Sequence, residues 1–155
     1  MTLSAVLIGV GCGTAVSAQE LAVNFSRARQ IVVPLDDLER GAPQLSLLEI
    51  ERLAGLLDGK RVHSATTLIV TTSPEIKFAA DRMGLTRRIE DAGGIVAAGI
   101  CFYQSYAREM AEANGWQRLV TNSAKLVNIL AGYGYKPTLA SMARCIDSAV
   151  AGKVL

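Results

Sequence analysis

Short apolar runs alternate along the chain with stretches of helical spacing, and glycine, proline or serine marks most of the joints between them. Residues 5–10 are apolar and partly β-branched and lead into Gly9-Val10-Gly11-Cys12-Gly13-Thr14, after which residues 15–29 place Leu21, Phe25 and Ala28 near one helical face. That predicts a strand, a glycine turn and a helix. Residues 31–35 read as a second strand and the polar stretch 36–40 as a connector. Ser46 and Glu49 stand at capping-box spacing ahead of Leu47, Ile50, Leu53, Ala54 and Leu57, so a helix is expected over 47–58, ended by Gly59. The β-branched run 66–71 predicts a strand that enters a helix over 74–91 directly, because Ser73, Pro74 and Glu75 supply an N-cap, a first-turn proline and a first-turn acid. Gly93-Gly94 stops that helix. A buried strand at 95–99, a helix at 105–114 closed by Gly115, and a strand at 119–121 follow. Asn122 is placed to cap a helix that begins at 123–125, and a strand at 139–141 with a helix at 142–151 completes the pattern.

This alternation predicts an α/β fold with three layers, a mainly parallel sheet carrying helices on both faces, in a single domain over residues 1–155. A chain of that length buries about two thirds of its unfolded surface and needs no staple to fold. Half of the residues are hydrophobic and only 19% are charged, so part of the apolar content is expected to cover a subunit or domain partner. The 16 basic and 14 acidic residues are mixed along the sequence, which leaves no electrostatic footprint for nucleic acid or an anionic membrane. Cys12, Cys101 and Cys145 are odd in number and lack a C-x-x-C spacing, as expected of reduced thiols in a cytoplasmic protein. Residues 3–18 imitate the apolar core of a signal peptide, but no Lys or Arg precedes them, and they are too short and glycine-rich to span a bilayer.

Ligands of open parallel sheets bind beyond the C-terminal strand ends. Three such ends carry polar or reactive groups: Thr71-Thr72-Ser73, Cys101-Phe102-Tyr103-Gln104, and Thr121-Asn122-Ser123-Ala124-Lys125. Hydroxyls, a thiol, an amide and an ammonium converging there would suit a carboxylate or phosphate. Plainer roles compete with that reading: Ser73 and Asn122 as N-caps, Cys101 and Cys145 as small packed hydrophobes, Lys125 as a solvated helix residue. Gly9-x-Gly11-x-Gly13 after a strand admits a dinucleotide-binding module, although the third glycine comes one residue early and Asp36 or Asp37 must serve as the ribose acid. His63, the single histidine, precedes a strand and fits a surface or linker role; without a second histidine, nucleophile–histidine machinery has little to build on.

Several of these segments, in order, resemble the aconitase X family over residues 40–153, the C-terminal part of its catalytic region. Gly41-Ala42-Pro43-Gln44-Leu45-Ser46 with Leu48, Glu49, Ile50 and Leu53 is similar to the family's glycine-x-proline-histidine-x-serine turn and following helix. Thr71-Thr72-Ser73-Pro74 resembles its strand-end hydroxyl motif, Ile100-Cys101 its cysteine after a strand, and Thr121-Asn122-Ser123-Ala124-Lys125 is the most specific match. Residues 141–153, with Arg144-Cys145-Ile146-Asp147, resemble the closing helix. The resemblance implies a component of a hydro-lyase that dehydrates a small hydroxy acid such as cis-3-hydroxyproline or mevalonate 5-phosphate. It implies iron or an iron–sulfur cluster with Cys101 as a ligand, Ser123 and Lys125 as catalytic residues, and Ser46, Thr72, Ser73 and Asn122 as substrate-binding residues. Ala42 stands where some members carry a cysteine, Gln44 where the histidine is usual, and Leu126-Val127-Asn128-Ile129 where aromatic and histidine residues are common. The resemblance implies that the family's long N-terminal portion and a small swivelling domain come from partner subunits, or, if this sequence is a fragment, from the rest of a longer chain. A non-catalytic small-anion-binding or assembly subunit, and a dinucleotide-binding module built on Gly9, Gly11 and Gly13, are the other readings. The dehydratase reading requires Cys101 and residues 122–125 to face one rim of the sheet.

Overall fold

A computed structural model describes residues 30–32 and 44–155, and in it every strand pairing is parallel. The strands are β1 (Gln30–Val32), β2 (Thr66–Thr72), β3 (Gly94–Ala98), β4 (Arg118–Thr121) and β5 (Lys136–Leu139). They form a 5-stranded sheet in the order β3-β2-β1-β4-β5. The helices are α1 (Leu47–Leu56), α2 (Pro74–Arg82), α3 (Leu85–Asp91), α4 (Ala107–Asn114), α5 (Ala124–Leu130) and α6 (Met142–Ala151). The strand expected at 5–10, the glycine turn around Gly9, Gly11, Cys12 and Gly13, the helix at 15–29, the connector at 36–40 and the turn Gly41-Ala42-Pro43 lie outside the described residues.

The strands are apolar on both sides because both sides are covered. In β2, Leu68 and Val70 enter one core with Ile50 and Leu53 of α1, Ala80 of α2, Ile89 of α3 and Ile146 of α6. Ile69, pointing the other way, joins Ala107 of α4, Trp116, Leu119 of β4, and Leu126 and Leu130 of α5. Successive β4 residues repeat the division, with Leu119 in the second core and Val120 in the first. The period-2 geometry of a strand makes that assignment, and each fully buried Leu or Ile contributes about 1.5–3 kcal/mol. The three-layer α/β architecture expected from the alternation is the one observed.

Local chemistry sets most element ends. Ser46 and Glu49 close a reciprocal capping box on α1. Ser73 caps α2, with Pro74 in its first turn, and α6 runs from Met142 to Ala151 behind the Ser141 cap.

Three expectations are corrected. The helix expected over 74–91 is two helices, because Gly84 takes a left-handed conformation at φ 71° and turns the chain so that Leu85 and Ile89 reach the first core. The cap of α5 is Ser123, whose hydroxyl accepts the Leu126 amide, and not Asn122. The last strand comes earlier than 139–141, at Lys136–Leu139. It contains Pro137, which an edge strand tolerates because one side of its ladder needs no donor. No helix among the described residues is long and apolar enough to cross a membrane.

Candidate functional site

Parallel strands put all their C-terminal ends on one rim, so the sequence-selected segments 71–73, 101–104 and 121–125 lie on the same side of the sheet. Sheet order separates them, however. β3 and β4 are three strand spacings apart, about 14 Å across the rim. Cys101 leaves β3 near one edge, whereas Asn122 to Lys125 follow β4 on the far side of β1.

The segment after β3 closes that gap. A short 3-10 turn at Phe102–Gln104 buries the Phe102 ring in the second core, edge-on to Tyr135 with centroids 6.3 Å apart. This turn touches α5, and Tyr103 lies under the Lys125 ammonium, with Nζ 5.4 Å from the ring centroid. The Cys101 carbonyl oxygen holds the turn by accepting from the Gln104 amide at 3.0 Å and from Ser105 Oγ at 2.9 Å. Tyr106, with φ 57°, then redirects the chain into α4. That left-handed conformation costs a tyrosine about 1–2 kcal/mol, which the anchored residues on either side maintain.

On the β2 side, the segment at 44–46 is tied to the strand end. Leu45 N donates to the Thr71 carbonyl at 2.9 Å, and Thr72 Oγ1 donates to the Leu45 carbonyl at 2.7 Å. Gln44 Nε2 donates to the Ile100 carbonyl at 3.4 Å, so this segment also reaches the residue before Cys101. Gly99 N donates to the Thr72 carbonyl at 2.9 Å. The ends of β2 and β3 and the entry to α1 therefore form one hydrogen-bonded corner.

The candidate residues differ in what they present. Ser46 is exposed, but its hydroxyl donates to Glu49 Oε2 at 2.7 Å within the capping box. Thr72 is fully buried and spends its hydroxyl proton on Leu45. Ser73 Oγ accepts the Ile76 amide at 3.3 Å. Ser123 is fully buried, with its amide on Thr121 Oγ1 at 3.1 Å and its hydroxyl on the Leu126 amide at 3.2 Å. Cys101, Asn122 and Lys125 are half-buried and reach the surface of the rim. Tyr103 belongs with them and was not singled out from the sequence; its signal was an aromatic side chain two residues beyond the cysteine.

Cys145, in contrast, is fully buried in the first core, its thiol facing the Ala140 carbonyl at 3.8 Å, and burial pushes its pKa up to about 12. His63 lies on the loop before β2, at the opposite rim, where Nδ1 accepts the Ala65 amide at 3.1 Å. Both placements agree with the plainer roles expected for these residues. Among the described residues no three His, Cys, Asp or Glu side chains stand together as a metal set. Iron–sulfur clusters take about four thiolate-type ligands. Cys101 fits one position of such a group, and the described residues do not supply the others.

Residues 36–151 match the family model of the aconitase X third domain. The phosphomevalonate dehydratase large subunit of Methanocaldococcus jannaschii is 41% identical over 85 residues, covering 55% of this chain and 20% of that protein. The cis-3-hydroxy-L-proline dehydratase of Pseudomonas aeruginosa is 28% identical over 120 residues, 77% of this chain and 20% of that protein. The crystal structure of Thermococcus kodakaraensis aconitase X in its holo form superimposes with a TM-score of 0.64 at 26% identity, covering 84% of this chain and 32% of that one. The chain thus spans about a fifth of the length of these curated relatives.

Proposed function

Because the chain belongs to the aconitase X family, through that family's third domain, we propose that it is one component of a hydro-lyase acting on a small hydroxy acid, with the rest of the site supplied by other polypeptide. Cis-3-hydroxyproline and mevalonate 5-phosphate are the substrates to try first, since the relatives are dehydratases named for hydroxyproline and phosphomevalonate. The observation that carries the reading is the meeting of two strand ends: the turn after Cys101 crosses the rim and brings Tyr103 against Lys125.

In this reading Lys125 supplies the positive charge for a carboxylate or phosphate, and Asn122 beside it supplies an amide that both donates and accepts. Ser123, caught between the Thr121 hydroxyl and the Leu126 amide, fixes the turn that presents them. Thr72 and Ser73 hold the β2 end, and Ser46 the entry of α1, in the same rim. Cys101, as thiolate, is the position through which this chain would hold iron. When bound, iron supplies Lewis acidity toward the hydroxyl that leaves.

Two features support partner polypeptide. The described residues offer one half-buried thiol where an iron group takes several ligands. Large apolar side chains are also left exposed near this rim, with Tyr106 at 67%, Leu139 at 56% and Leu48 at 76%. The test is to co-express the chain with candidate polypeptides corresponding to the remainder of an aconitase X enzyme, then measure iron content and water loss from both acids. Iron retention and dehydration in one combination are expected. Iron-free preparations that bind the acids without dehydrating them would replace the hydro-lyase with a small-anion-binding subunit.

A further inference from the structure

We infer that Tyr103 is a positioning residue for Lys125, setting the ammonium that the proposed function assigns to the substrate anion; the inference deepens that reading and rests on it. The sheet order gives such a residue its task. Lys125 follows β4, and Cys101 follows β3, with β2 and β1 between them. Hydrogen bonds of the ladder therefore do not fix the thiol-bearing segment against the turn that carries the ammonium.

Tyr103 makes that connection. Its ring is half-buried against the second core, and its backbone belongs to the turn clamped by the Cys101 carbonyl. The neighbouring Phe102 is buried beside Tyr135, whose hydroxyl donates to the Ala107 carbonyl at 2.7 Å. The ring is thus anchored on both sides while its face meets Nζ of Lys125 at 5.4 Å from the centroid. A lysine has a flexible four-carbon stem and a strongly hydrated head, so a fixed aromatic face restricts where its charge is presented. The phenol oxygen is not required for this, because attraction comes from the ring face. Tyr103→Phe keeps the device, and Tyr103→Leu removes it while retaining apolar packing.

The experiment uses the full chain with lysines reductively methylated by 13C-formaldehyde, the Lys125 signal being assigned by its absence in Lys125→Arg. In the wild type and in Tyr103→Phe the Lys125 methyl signal is expected upfield of the others, shifted by the ring, and in Tyr103→Leu it returns toward them. Titration of the unmethylated chain, co-purified with the polypeptide that completes the site, with mevalonate 5-phosphate and with cis-3-hydroxyproline is expected to show an affinity loss of about three- to thirtyfold in Tyr103→Leu, rescued in Tyr103→Phe, at unchanged circular dichroism and Tm. Two results overturn the positioning role while leaving the proposed function intact: a Lys125 signal indifferent to Tyr103→Leu, or equal affinity in Tyr103→Leu and wild type while Lys125→Met abolishes binding. A wild-type assembly that binds neither acid, or a Lys125→Met assembly that binds them undiminished, overturns the assignment of Lys125 and this inference with it.

Discussion

Adjacent threonines at the end of β2 carry opposite energetic weight. Thr72 and Thr71 are both fully buried, yet only Thr72 has a hydrogen-bond partner for its hydroxyl among the described residues, the Leu45 carbonyl at 2.7 Å. Thr72→Val leaves that buried carbonyl without its donor and is expected to cost about 1–3 kcal/mol, loosening the 44–46 segment that borders the rim. Thr71→Val removes a buried hydroxyl with no such partner and replaces it with a methyl of the same shape. Stability is expected to hold or to rise by about 1 kcal/mol. Urea unfolding of the two variants at constant m-value decides it, and equal losses would contradict the division. The sequence does not separate them, since two threonines in a strand look alike until alternation assigns Thr72 to the side where Leu45 lies.

The C-terminal helix shows how a single backbone position couples two elements. The amide of His63 donates to the Ala149 carbonyl at 3.0 Å, which pins α6 to the loop before β2. Gly152 closes the helix at φ 71°, and a Cβ placed there would stand 2.5 Å from His63 Nδ1. The imidazole cannot turn away freely, because Nδ1 accepts the Ala65 amide. Gly152→Ala is therefore expected to lose about 2–4 kcal/mol, part from the left-handed backbone and part from the clash. In a His63→Ala background the clash disappears and the same substitution is expected to cost only about 1 kcal/mol, a coupling that a double-mutant denaturation cycle measures.

Element ends of this kind were largely legible. The Ser46–Glu49 capping box, the Ser73-Pro74 entry and the whole of α6 carry strong local chemistry. What escaped was decided by tertiary structure. Gly84 reads as a tolerated helix glycine until the core demands Leu85 and Ile89. Asn122 and Ser123 are equally good caps, and the Thr121 hydroxyl selects the second by taking its amide. Pro137 argues against a strand unless that strand is known to lie at the edge.

At the scale of the molecule, the sequence specified that reactive groups follow strands, and the parallel sheet carries them all to one rim. Strand order was not legible, because alternation and propensity are the same for any order of parallel strands. That order separates the thiol from the Asn122–Lys125 turn, and the crossing turn at Phe102–Gln104 reunites them. The two thiols of the described residues consequently have different prospects as iron ligands in the proposed assembly. Cys101 is half-buried at the rim, whereas Cys145 is sealed in the first core on the inner face of α6, with burial holding it as the neutral thiol. Cys101→Ser is expected to abolish iron retention in the co-purified assembly with little change in Tm. Cys145→Ser should retain iron at the wild-type ratio while losing stability, because it places a hydroxyl among apolar side chains. Iron measured per assembled complex, beside thermal unfolding of the chain, separates the two effects: equal iron in both variants would remove Cys101 from the ligand set, and loss in both would trace retention to folding instead of ligation.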